Sequence, residues 1–174
     1  MSAAYRQDLA VSSDRFDASR RLFDELVADA SSARALGAGH QEVEAAIASN
    51  GRKLLQQLFQ DHLDLRHVLE ARVQVRDEDG VRLPERRRAR RVLRSLLGPV
   101  VSTRFLYQAE GREGRAPADA SLRLSADSYS MGVRREVARL CVSDAYAPAV
   151  EIAPQTFGDR LSAALLSSSP HALV

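Results

Sequence analysis

Apolar residues recur at helical spacing over the first third of the chain. Phe16, Phe23, Leu26, Val27 and Ala30 fall on one face of a 3.6-residue helix. Ser13 or Asp14 would cap it. Gly37 and Gly39 close the Ala- and Ser-rich stretch that follows. A longer stripe then runs through Val43, Ile47, Leu54, Leu58, Leu65 and Leu69, predicting a helix over residues 41–72. Gly51 costs about 1 kcal/mol in a helix interior, so a kink or break is expected there. That stripe needs a partner, either the first helix or a second copy of the chain. At Val73 the period changes to two. Val73 and Val75 alternate with Gln74 and Arg76, and Asp79-Gly80 is a hairpin signal before Val81 and Leu83. Val101, Thr103, Phe105 and Tyr107 alternate again after Gly98-Pro99 and predict a strand. Residues 85–97 between them fit either a strand or a basic helix. A last helical stripe, Val133, Val137 and Leu140 with Cys141, follows a cap at Ser130 or Asp127.

These elements predict an α+β fold, mainly α: an N-terminal helical hairpin, a small antiparallel β-meander, and a further C-terminal helix with a mobile tail. The expected divisions are disordered residues 1–13, a helical segment 14–72, a basic antiparallel β segment 73–109, a loop plus helix 110–147, and a mobile tail 148–174. The chain has 174 residues, 45% of them apolar, enough for one core. No run of about 18 apolar residues exists, so no membrane span is expected. Cys141 is the only cysteine, which excludes an internal disulfide framework and points to a reducing cytoplasm.

The net charge of +2 conceals an asymmetry. Residues 82–115 hold ten arginines against three glutamates, between two mildly acidic flanks. Arginine supplies 24 of the 25 basic residues, and its planar fork grips phosphate bidentately where lysine cannot. Arg82, Arg86, Arg87, Arg88, Arg90, Arg91 and Arg94 crowd into thirteen residues beside Glu85 alone, and Arg104 adds charge from the next predicted strand. Such a cluster calls for a polyanion, and double-stranded DNA is the expected partner. A solvated basic surface that binds nothing is the plain alternative. Among Asp61, His62, Asp64 and His67, the two histidines are five apart and off-face; Asp64 and His67 have one-face spacing, but two ligands make no metal site, and His62 is expected to be packed and hydrogen-bonded within the apolar stripe. Cys141 is expected to be a buried, inert thiol. There is no nucleophile elbow, dinucleotide loop or phosphate-binding loop motif, so no catalytic residue is assigned.

Several segments in order resemble the N-terminal region of the ISKra group of bacterial insertion-sequence transposases. They are Arg15-Phe16-Asp17; the run from Gly51 to Arg66, GRKLLQQLFQDHLDLR; the Asp79-Gly80 turn with its arginine-rich sequel; Gly98-Pro99-Val100 through Arg104 and Tyr107; and Pro117 to Leu124 followed by Tyr129-Ser130, Gly132 and Arg134-Arg135. The resemblance covers roughly residues 14–147. It implies DNA transposition, with an RNase H-like domain downstream whose three carboxylates hold two Mg²⁺ ions. The chain is then expected to be truncated before that catalytic domain, to carry no cofactor of its own and to be inactive alone. Arg82 to Arg94, with Arg104, would contact the phosphates of element ends, and a homo-oligomer would pair the long helices. The alternatives are a non-enzymatic dimerising interaction module with a basic face, or the inert product of a decayed transposase gene.

Overall fold

The two N-terminal stripes become an antiparallel helical hairpin. Helix α1 (Asp17–Ala30) leads through the short α2 (Ala33–Gly37) into α3 (His40–Val68), which folds back along it. Caps mark the joints: Ser32 Oγ accepts from Ala35 N at 3.2 Å, and the Gly39 N–H donates to the Glu42 carboxylate at 3.2 Å. The computed structural model describes residues 15–143, so the expected Ser13 or Asp14 cap, the disordered start and the mobile tail lie outside the described residues. The chain continues as β1 (Glu85–Ser95), β2 (Gly98–Gln108), α4 (Pro117–Ser121) and α5 (Met131–Ser143), the α+β, mainly helical class that the patterning predicts. No helix among the described residues is long and apolar enough to cross a membrane.

Helix α3 runs unbroken through Gly51. The glycine penalty is small beside the tertiary anchors of its C-terminal half, where Leu63 is buried against Leu93 and Val100. Asp61 pins α1 to α3. This buried carboxylate accepts from Ser19 N at 3.2 Å, Ser19 Oγ at 2.5 Å and Gln57 Nε2 at 2.7 Å. No apolar side chain of residues 15–58 is buried; Phe23, Val27, Ile47, Leu55 and Leu58 all stand exposed.

The expected meander of residues 73–109 is corrected to one long hairpin. Residues 73–84 form no strand but a turn around Gly80, held by a lone Arg76–Arg82 bridge and by Leu83 N donating to Val75 O at 2.9 Å. Residues 85–95, which fit strand or helix, are a strand. As a helix they would set Arg86 against Arg90, Arg87 against Arg91 and Arg90 against Arg94 at i, i+4, each a repulsive pair. As a strand they pair in antiparallel register with β2 from Glu85↔Gln108 to Ser95↔Gly98. The turn falls at Leu96-Leu97, ahead of Gly98-Pro99. Gly98 leaves it at φ +110, so the backbone demands glycine, and a Cβ there would sit 3.1 Å from the Gln56 side chain and press on it.

The hairpin is covered unequally. Near the turn, Leu93 and Val100 bury one face against Leu63, Phe59, Leu122 and Leu124. At the open end, Tyr107 buries the other face against Val75 and Leu83. Ser130 caps α5, accepting from Val133 N at 3.2 Å, and α5 turns Val133, Val137 and Leu140 inward. Cys141, expected buried, is half-buried.

Candidate nucleic-acid interface

Strand pleating sorts the arginine cluster into two populations. Arg86, Arg88 and Arg90 share one face of β1 with Val92 and are exposed. Arg87, on the other face, is exposed at the open end, where its Nε donates to Gln108 Oε1 at 2.9 Å. Arg82 is exposed on the preceding turn.

Arg91 and Arg104 do something else. Arg91 is only 16% exposed; it donates to Asp119 Oδ2 at 3.2 Å and to the carbonyls of Ser125 and Asp127. Arg104, 13% exposed, sits opposite small Ala89, with its Nε 2.6 Å from Asp119 Oδ1. One carboxylate thus holds two guanidiniums; both arginines tie α4 to the hairpin, and Arg91 also ties down the 125–127 loop. Arg94 is half-buried, and its backbone bonds Ser128 O at 2.7 Å and Ser130 N at 2.9 Å. The structure therefore does not bring the eight predicted contact residues to one surface. Arg86, Arg88 and Arg90 stand together, Arg87 is exposed on the other face, Arg82 is exposed on the preceding turn, and Arg91 and Arg104 point into the fold.

The acidic side chains of the 77–79 turn and of Asp127 are engaged by other arginines. Arg112 reaches Asp77 at 3.2 Å and Asp79 at 2.5 Å, and Arg115 reaches Glu78 at 2.6 Å, so the acidic turn is matched by the 110–115 loop. Asp127 binds Arg134, the Tyr129 N–H at 3.0 Å and the Ser125 hydroxyl at 2.9 Å. Burial pushes the Asp127 carboxyl up, but the Tyr129 amide, Ser125 and Arg134 outweigh it and hold its pKa below the ordinary 3.8. Among the described residues, no ion pair joins Arg82, Arg86, Arg87, Arg88 or Arg90 to a carboxylate.

Sequence reasoning missed a ladder beside this surface. Arg86 stacks over the Phe105 ring at 4.0 Å, and Phe105 meets His67 at 5.0 Å between ring centroids. His67 Nδ1 lies 3.4 Å from Glu70, whose carboxylate also accepts from Phe105 N at 3.2 Å. The stack orients one guanidinium of the exposed face. Its one sequence signal was the i, i+3 spacing of His67 and Glu70. His62, expected packed within the stripe, is exposed instead; the half-buried histidine is His67. The stripe at residue 62 turns away from β2, which contacts the flanking Gln56, Gln60 and Leu63. Among the described residues, no three His, Cys, Asp or Glu side chains converge on a metal-sized site.

Compared with protein-family models, curated proteins and solved structures, the chain matches none.

Proposed function

We propose that this chain binds duplex DNA through the exposed arginines of β1, as the N-terminal, DNA-engaging portion of an insertion-sequence transposase similar to the ISKra group. The supporting observation is that Arg86, Arg88 and Arg90 stand on one exposed face, two residues apart, with no carboxylate partner among the described residues. Alternate residues of a strand lie roughly 6.8 Å apart, so the three guanidiniums form a regular row. A two-stranded β-ribbon of this kind fits the major groove, where arginine grips phosphate or guanine in a fork. Arg82, exposed on the preceding turn, and Arg87, exposed on the other face, add charge outside the row. Arg91 and Arg104 are not part of the contact surface, because Asp119 holds them. The working compartment of such a protein is the cytoplasm, and any Mg²⁺ chemistry belongs to a catalytic domain, not to these residues.

Salt titration of duplex binding tests the reading. With Arg86, Arg88 and Arg90 each meeting one phosphate, log Kd should change with log salt at a slope of about 3 in magnitude. Reversing those three residues to glutamate should abolish binding and leave the fold intact. Undiminished binding in the reversal variant would reject the surface.

A second reading, a dimerising interaction module, has its own observation. The α1–α3 hairpin buries no apolar side chain up to Leu58, while Phe23, Val27, Ile47, Leu55 and Leu58 stand exposed. Sedimentation equilibrium with and without DNA separates the readings: dimers without DNA affinity favour the module.

A further inference from the structure

The two edges of the hairpin are treated differently. The outer edge of β2 is bonded at Pro99, Val101, Phe105 and Tyr107, four of its five outward residues. Gln56 Nε2 donates to Pro99 O at 2.6 Å, Gln60 accepts from Val101 N at 2.8 Å and donates to Val101 O at 3.0 Å, and Glu70 accepts from Phe105 N at 3.2 Å. Tyr107 exchanges two backbone bonds with Arg115 at 2.8 Å each. Proline 99, which has no N–H to leave unpaired, sits in this edge with only its carbonyl to satisfy.

These bonds also fix which backbone groups of β1 point outward. Val101 turns its N–H and C=O to Gln60, so Val92↔Val101 is a non-hydrogen-bonded pair, and every second pair shares that orientation. Arg86, Arg88, Arg90, Val92 and Arg94 therefore direct their peptide groups away from β2. Arg94 is met by Ser128 and Ser130. Among the described residues, nothing bonds the outward peptide groups from Arg86 to Val92.

We propose that this edge of β1, Arg86 to Val92, is a docking edge for an acidic extended segment of another protein, added as a third strand. The outward row alternates donors with acceptors. DNA phosphates accept but do not donate, so they leave the carbonyls of Arg86, Arg88, Arg90 and Val92 unmatched; a peptide strand supplies both. The charge of the same residues selects the occupant. Arginines at successive outward positions disfavour pairing with a second copy, because like charges across a strand pair repel. Glutamates or aspartates at alternate positions of an added strand meet Arg86, Arg88 and Arg90 on one face. The inference does not rest on the DNA reading, since the backbone groups it uses stay unmatched by DNA, although an acidic strand and DNA would compete for the side chains of Arg86, Arg88 and Arg90.

The probe is a fluorescein-labelled octapeptide of alternating Glu and Thr, with a Lys–Thr octapeptide as control, added to the full chain. The acidic peptide should bind and the basic one should not. On binding, hydrogen exchange at the amides of Arg88, Arg90 and Val92 should slow at least tenfold. The variant Val92→Pro removes one outward N–H and no charge, at an edge position that tolerates proline. It should weaken peptide binding at least tenfold and keep a cooperative thermal unfolding transition, which reports that it has folded. Peptide affinity unchanged in Val92→Pro would reduce the contact to charge alone and overturn the proposal. So would exchange that fails to slow. Amides already protected in the unliganded chain would assign the edge to the chain's own residues, and protection that rises with protein concentration would assign it to a second copy; either result overturns the proposal. Should Val92→Pro not fold, the exchange measurement on the unaltered chain decides alone.

Discussion

Arg90 and Arg91 are neighbours in the chain and lie on opposite faces of β1. Arg91 is mostly buried and committed to the fold's interior contacts, reaching Asp119 and two loop carbonyls, whereas Arg90 is exposed with no carboxylate partner among the described residues. The same residue type in the same strand thus serves either to hold the fold together or to meet a partner, and the pleat alone decides which. Counting charge along a strand therefore overstates the charge offered to a ligand by whatever the inward face consumes. The sharpest way to break this comparison is Asp119→Ala. It strands two largely buried guanidiniums at once, and removing one member of a buried ion pair costs roughly 3–5 kcal/mol. With Arg91 and Arg104 still slightly solvated, a loss of about 3 kcal/mol is expected in chemical denaturation. Unaltered stability would show that Asp119 does not organise the two arginines.

The outward population should behave in the opposite way. Arg88→Ala with Arg90→Ala should move folding stability by no more than about 0.5 kcal/mol, as exposed substitutions do. DNA affinity should fall by about 3 kcal/mol or more if each arginine contributes a charge-assisted phosphate contact of about 1.5 kcal/mol. The salt slope should drop by about 2, one per lost phosphate. A large stability loss with no change of slope would exchange the roles of the two faces.

A smaller effect is expected where a buried charge is held without a cation. Ser19→Ala removes the hydroxyl that donates to Asp61 at 2.5 Å, leaving the Ser19 and Gln57 donors in place. Hydrogen bonds to charged groups contribute about 1.5 kcal/mol or more, so a loss of roughly 1–2 kcal/mol is expected in thermal or denaturant unfolding. Asp61→Asn in the same background should lose less than it does in the unaltered chain, because the two changes touch one interaction.

Much of this was legible before any coordinates, and the failures have physical causes. Helical stripes at Phe16–Ala30 and Val43–Leu69 are read correctly because period 3.6 is a backbone property. Ser130 is recognisable as a cap because its hydroxyl is one residue before a helical stripe. The β segment was harder. Val73 and Val75 alternate like strand residues, yet Val75 belongs to a turn packed on Tyr107, because two alternations are too few to commit a strand without a partner. Arg86 to Ser95 show no alternation of polarity that would announce a strand; their pairing with β2 is a non-local fact. The arginine cluster was visible as charge, but the division between Arg90 and Arg91 depends on register. Asp119, which holds Arg91 and Arg104, lies 28 and 15 residues away along the chain with no motif linking them.

The smallest effect concerns Asp127, which meets Arg134 on the inward side of the same division. Its carboxyl titrates below the ordinary 3.8 because the Tyr129 amide, Ser125 and Arg134 overcome the upward push of burial. A carboxyl whose folded pKa is depressed contributes stability that is present above its unfolded pKa and lost as pH falls through the folded value. Asp127 and Arg134 are both more than a quarter exposed, so solvent screens their attraction and the contribution stays small. Asp127→Asn should therefore lower Tm slightly near neutral pH, and the gap to the unaltered chain should close as pH falls below 3.8. Arg82, Arg86, Arg88 and Arg90, which meet no carboxylate among the described residues, supply no such acid-sensitive term, so Arg90→Gln should leave the acid limb of the Tm–pH curve where it is. An acid limb that moves with Arg90→Gln and not with Asp127→Asn would place the paired arginine on the outward face and dissolve the distinction between the two populations.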